Sequence, residues 1–156
     1  EREVELATTT PQLDEPVQRS ARALPAGAAK RLPVSAPSSL RFGEKDEFGN
    51  VSKGITLRPR PGAVVAAVAD GRVAFAGPFR GYGRVLILEH ANGYHTVLAG
   101  LGRVTVEVGQ KLVAGEPLGN MSDTREPAPE LYFEVRRNGA PTDPLGAGAT
   151  RLTNAP

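Results

Sequence analysis

The chain contains no cysteine, no tryptophan, one methionine and only two histidines among 156 residues. Without cysteine there is no disulfide framework, no thiolate metal site and no cysteine nucleophile. Aromatic residues make up 5%, so a core has to be built from Val, Leu, Ile and Ala. The formal net charge is only +2. No block of like basic charge occurs and no aromatics interleave with the basic residues, which excludes a nucleic-acid-binding surface. No apolar stretch reaches the ~18 residues that a membrane-spanning helix needs. The opening segment "EREVELATTT" lacks the pattern of a signal peptide. It begins without Met, and is read as a fragment or a processed form.

What the chain does contain is 18 glycines and 14 prolines within a globular balance of 40% hydrophobic and 23% charged residues. That mixture favours short strands and many turns over long helices. Residues 1–40 stand apart. Leu13, Val17, Ala21 and Leu24 make a weak helical stripe over about residues 11–24. "PAGAAKRLPVSAPSS" (25–39) then has the composition of a linker or extended arm. From Arg41 to residue 145 the pattern is β, with Gly-marked turns at the spacing of an antiparallel sandwich or barrel. Asp70-Gly71 marks one turn. Asn92-Gly93 predicts a two-residue type I′ hairpin, which would set His90 directly opposite His95. Residues 146–156 are small and polar and are expected to form a flexible tail.

The order of motifs from Phe42 to Pro144 carries a resemblance. "FGEKDEFGNVSKGI", "AVVAAVADGRV", "GYGRVLILEHANGYHTVLAGL", "VGQKLVAGEPLG" and "LYFEVRRNGAPTDP" together resemble the LytM (lysostaphin-type) zinc endopeptidase domain. The resemblance implies a mainly β fold, an antiparallel two-sheet LytM-type β-sandwich, here with a short N-terminal helix or arm. It also implies three zinc and catalytic motifs: His-x-Gly-x-Asp, a His before a Leu, and His-x-His on a strand. A catalytic zinc needs about three N/O ligands and an open position for the water it activates. Carried over, those positions hold Ser52 and Thr56, then Gly100, then Glu130 and Tyr132. Hydroxyls, a phenol and one carboxylate do not make a zinc site, so no metal, no cofactor and no peptidase activity are expected. A two-histidine metal site at His90 and His95 is the weaker alternative to a half-buried surface pair.

Loss of the metal leaves the groove as a shape. Judged by adjacency to the vanished motifs, it is lined by Lys53, Thr56, Tyr82, Val85, Leu98, Tyr132 and Arg136. Val85 and Leu98, on apolar strands, read first as strand core; Lys53 is equally readable as a solvated loop charge, and Tyr82 is read as groove rim ahead of turn aromatic. Tyr and Arg are the residues that most often anchor interfaces, and such a trough suits an amphipathic helix. Among metal-less relatives the pattern is similar to the EnvC-type amidase activators of Gram-negative bacteria. That resemblance implies a periplasmic protein that is not an enzyme. Its groove would capture a helix of an N-acetylmuramoyl-L-alanine amidase and promote septal peptidoglycan cleavage during cell separation. It also implies an upstream coiled coil docking on an FtsEX-type membrane complex, although no sustained heptad occurs in this sequence. The helix at 11–24 is a candidate to fold back and occlude the groove. Two other readings compete: a non-catalytic peptidoglycan-binding module, and a lipoyl-like carrier. The second is disfavoured because Lys111 lacks the flanking Met of a carrier lysine.

Overall fold

The computed structural model describes residues 32–145, and the possible helix at 11–24 and the tail at 146–156 lie outside them. Eleven strands form two antiparallel sheets. They are β1 (Ser38–Leu40), β2 (Ile55–Leu57), β3 (Val64–Ala66), β4 (Gly71–Phe79), β5 (Gly83–Glu89), β6 (Tyr94–Leu101), β7 (Arg103–Val104), β8 (Lys111–Leu112), β9 (Pro117–Asn120), β10 (Leu131–Arg137) and β11 (Ala140–Thr142). The large sheet runs β1-β2-β10-β6-β5-β4-β8, with β11 paired to β10, and the small sheet runs β3-β9-β7. The expected two-sheet β architecture is what the chain adopts.

Alternation decides which face of the large sheet is buried. Along β10, Leu131, Phe133 and Val135 are at most 1% exposed, while Tyr132, Glu134 and Arg136 project from the opposite face. Leu86 and Leu88 of β5, Leu98 of β6 and Val73 of β4 join the first set. They pack on Val65 and Leu118 of the small sheet to form the main core. Among the described residues, Phe133 is the only aromatic side chain fully buried in this core, in keeping with a sequence poor in aromatics. A second, smaller cluster of Val85, Ile87 and Ala99 lies on the other face, with Phe75, Val97 and Tyr132 packed against it. The large sheet is thus covered by the small one on one side and carries a partly open apolar floor on the other.

Two features differ from the sequence reading. The folded body begins before Arg41: Ser38–Leu40 form β1 on the edge of the large sheet, and Val34 is buried in the core. Pro33 and Pro37 carbonyls accept the amides of Ala66 and Arg58 at 2.9 Å. Proline-rich composition signals an extended chain, and an extended chain serves equally as a linker or as an edge segment that offers only acceptors.

The second difference is the β5–β6 hairpin. Asn92 and Gly93 both take positive φ, at 63° and 78°, and the Tyr94 amide closes the turn on the Ala91 carbonyl. Yet the Tyr94 carbonyl accepts from the His90 amide at 2.8 Å, so buried Ala91 is an extra residue in the ladder. A bulge moves the register by one. Glu89, not His90, therefore stands opposite His95, and the expected facing pair of histidines does not form.

Candidate functional site

The open face of the large sheet is built from cross-strand rows. Tyr132 pairs with Thr56 on one side and Ala99 on the other, and Ala99 pairs with Val85. In the next row Glu134 stands opposite Val97, followed by Ile87 and Phe75. In the third, Arg136 stands opposite His95, followed by Glu89 and Arg72. The rows place an apolar strip beside a line of polar groups that all come from one strand.

That line is cross-linked. Glu134 is 4% exposed, and a buried carboxylate requires partners. It has two: the Tyr132 hydroxyl donates to Oε1 at 2.8 Å, and Arg136 Nε donates to Oε2. Burial and the nearby Glu134 carboxylate hold the Tyr132 phenol well above its ordinary range, so it remains a donor. The ring fits because the facing residue is Gly54, where a side chain would overlap Phe133 O and the Tyr132 hydroxyl. Glycine there admits an aromatic that any larger residue would displace.

The expected site residues divide as follows. Thr56, Tyr132 and Arg136 share the open face, and Val85 lies in its apolar floor. Ser52 and Lys53 lead into β2 beside Gly54, where the Ser52 hydroxyl donates to Gly54 O at 2.8 Å. Tyr82 is exposed at the tip of the β4–β5 hairpin, its ring 5.6 Å from that of Phe79. Leu98 is a correction. It is 1% exposed and belongs to the main core, because it alternates with Val97 and Ala99, which take the groove face. Sequence reasoning sets Glu134 on the face of Tyr132 and Arg136 but not as the carboxylate that bridges them, and it missed the floor residues Phe75, Ile87 and Val97. Strand alternation from Tyr132 was the available signal for Glu134. The floor depended on a register that the Ala91 bulge had moved.

The five positions that the resemblance assigns to zinc and catalysis do not fit zinc. The Ser52 hydroxyl is spent on Gly54, the Tyr132 hydroxyl on Glu134, and Glu130 lies 3.5 Å from Arg58 in an exposed ion pair. Gly100 has φ +105°, and any side chain there would run into the Glu130 carbonyl. Among the described residues no cluster of three His, Cys, Asp or Glu side chains has a geometry that could hold a metal. His90 and His95 are separate in character. His90 is 2% exposed, with Nδ1 2.7 Å from Asp70 O and Nε2 2.7 Å from Thr96 Oγ1. Since a carbonyl only accepts, Nδ1 carries the proton and Nε2 accepts from Thr96. Burial lowers its pKa to about 4. His95, on the groove face, is also lowered, first by burial and then by the Arg136 charge, against a backbone bond to Gly93.

Residues 50–144 match peptidase family M23. The murein hydrolase activator EnvC of Escherichia coli is 35% identical over 113 residues, covering 72% of this chain and 27% of that protein. The murein hydrolase activator NlpD of the same species is 34% identical over 116 residues, covering 74% and 30%. This chain thus spans less than a third of the length of either relative. Among solved structures, a zinc-containing peptidase from Vibrio cholerae superposes with a TM-score of 0.67 at 26% identity, covering 79% of this chain and 40% of that one.

Proposed function

The chain belongs to peptidase family M23, and on the donor set of its groove we propose that it does not cleave peptides but activates a cell-wall hydrolase. Its groove binds a helix that blocks the active site of a periplasmic N-acetylmuramoyl-L-alanine amidase. Binding that helix frees the amidase for septal peptidoglycan cleavage and cell separation. An FtsEX-type membrane complex is the second partner that this reading proposes.

The observation that carries this reading is the exchange of chemistry on one face. Positions that would hold ligands carry Ser52, Thr56, Gly100, Glu130 and Tyr132. The same face offers an apolar floor edged by Tyr132 and Arg136, both held by Glu134. Side chains already fixed lose little entropy on binding, which favours recognition. The names of the two relatives, both murein hydrolase activators, support the role at the level of the hydrolase. Activation requires only that the groove bind the helix-released state of the amidase. The equilibrium then shifts by that differential affinity, so ~10⁴-fold preference takes a population from 1:99 to 99:1.

The test is dye release from labelled sacculi by the chain alone, a cognate amidase alone, and both together. The reading expects release only in the mixture, lost with Tyr132→Ala or Arg136→Ala. Chelator-sensitive release by the chain alone would establish a peptidase instead. Co-sedimentation with sacculi without any stimulation of the amidase would mark a peptidoglycan-binding module.

A further inference from the structure

On the groove face, His95 carries an unmet polar atom. Its Nε2 is buried and has no hydrogen-bond partner among the described residues. The backbone bond between this ring and Gly93 therefore falls to Nδ1. A carbonyl only accepts, so Nδ1 carries the proton of the neutral ring and Nε2 is left a bare acceptor. Buried polar atoms are nearly always paired, and an exception needs a physical reason. His90 makes the contrast, since both of its ring nitrogens are satisfied.

Cross-strand pairing fixes what surrounds the His95 ring. Arg136 of β10 stands directly opposite on one side and Glu89 of β5 on the other, with Arg72 of β4 beyond Glu89. Glu134 is the diagonal neighbour, two residues before Arg136. His90 is a further titratable neighbour, and its burial keeps it neutral above about pH 5. A proton on Nε2 would make two changes together. The ring would become a second cation facing the Arg136 guanidinium, and like charges directly opposite on a ladder repel. The Arg136 side chain is only 30% exposed, so that repulsion is screened less than on an open surface. Nε2 would also turn from acceptor to donor, within diagonal reach of the Glu134 carboxylate that now holds both Arg136 and Tyr132.

We infer that His95 is a positioning residue for Arg136: the neutral ring leaves the guanidinium docked on Glu134, and a proton on Nε2 opposes that posture and weakens the groove for its ligand. What the groove binds rests on the reading above, whereas the coupling of His95 to Arg136 rests on the register of β6 and β10. Burial, and then the Arg136 charge, hold the ring below its ordinary 6.5. The proton is therefore absent at neutral pH and arrives in mild acid, so the groove is competent at neutral pH and loses affinity below it.

Two histidines in the whole chain give two separable ring titrations by NMR. With the chain alone, His95 is expected to titrate between pH 7.5 and 5 with a midpoint below 6.5, and the Arg136 Nε–H signal should move with the same midpoint. Arg136→Ala should raise that midpoint. With a cognate amidase added, affinity should follow the neutral fraction of His95, falling twofold at the midpoint and about tenfold one unit lower. His95→Gln takes up no proton and should lose this fall, while the pH response of the amidase itself is common to both chains. A His95 ring that stays neutral down to pH 5, an Arg136 signal that ignores its titration, or a midpoint unmoved by Arg136→Ala each overturns the inference. So does a His95→Gln chain with the wild-type pH profile. If His95 and Arg136 titrate together but the wild-type chain binds no amidase at any pH, the coupling stands and the groove reading fails.

Discussion

The Tyr132 hydroxyl donates to the Glu134 carboxylate at 2.8 Å, across two residues of the same strand. Neighbours two apart on a strand share a face but do not ordinarily bond side chain to side chain. Here a deeply buried carboxylate draws Tyr132 from one side and Arg136 from the other, so three alternate residues act as a unit. Glu134 is thus a positioning residue for the groove, although it is itself nearly out of solvent's reach.

Replacing that carboxylate should separate position from presence. Glu134→Leu leaves a half-buried phenol and a guanidinium without their acceptor, and should cost about 1–3 kcal/mol in chemical denaturation. Glu134→Gln keeps an acceptor for Tyr132 but turns an amide toward Arg136. Amidase stimulation in this variant should resemble that of Arg136→Ala, with stability closer to wild type. Full stimulation by Glu134→Gln would show that Arg136 needs no positioning.

The two faces of the large sheet should respond differently. Leu98→Ala removes a core side chain and should destabilise by about 2–5 kcal/mol, with amidase affinity unchanged at temperatures where the fold persists. Tyr132→Ala should cost about 1–3 kcal/mol, because it removes one partner of the buried Glu134 carboxylate, and should in addition lose affinity strongly where the fold persists. Thermal melts and titrations on the same preparations decide it. A specific loss of affinity in Leu98→Ala would return that residue to the groove.

Stability should fall in mild acid because of His90. Its pKa in the folded state is about 4, against 6.5 for the ordinary side chain, so the unfolded chain binds the proton more readily between those values. Its contribution is therefore complete above pH 6.5 and is lost progressively as pH drops toward 4. The full loss is roughly 3 kcal/mol for a group this deeply buried. Denaturant midpoints measured from about pH 7.5 to 4 should show the decline, and His90→Gln should flatten it over that range. An equal slope in the variant would place the acid sensitivity elsewhere.

Gly100 should tolerate no side chain. Its φ of +105° and the adjacent Glu130 carbonyl predict a loss of about 3 kcal/mol or more for Gly100→Ala. Gly77 is the control, because a methyl added there would meet the Phe75 ring at an ordinary 3.8 Å and its φ is not positive. Gly77→Ala should shift the unfolding midpoint little. The same clash means that placing a histidine at position 100 requires the backbone to move as well.

The sequence alone determined the sheet content and the face shared by Tyr132 and Arg136. Both follow from local chemistry: period-two alternation and turn-forming glycines. It also located the Asn92-Gly93 turn, because only residues that accept positive φ suit it. Tertiary structure decided the rest. Ala91 is accommodated as a bulge because its neighbour His90 reaches the Asp70 carbonyl and Thr96, two partners outside the turn itself, and that moved the register and parted the histidines. Leu98 went to the core and Val97 to the groove by an alternation whose phase is set by pairing with β5 and β10. The proline-rich segment before Arg41 became an edge strand because Ala66 and Arg58 had amides to satisfy. Glu134 shows the division most plainly. Its place on the strand was legible, whereas its role came from the sheet that buried it and left it Tyr132 and Arg136 as partners.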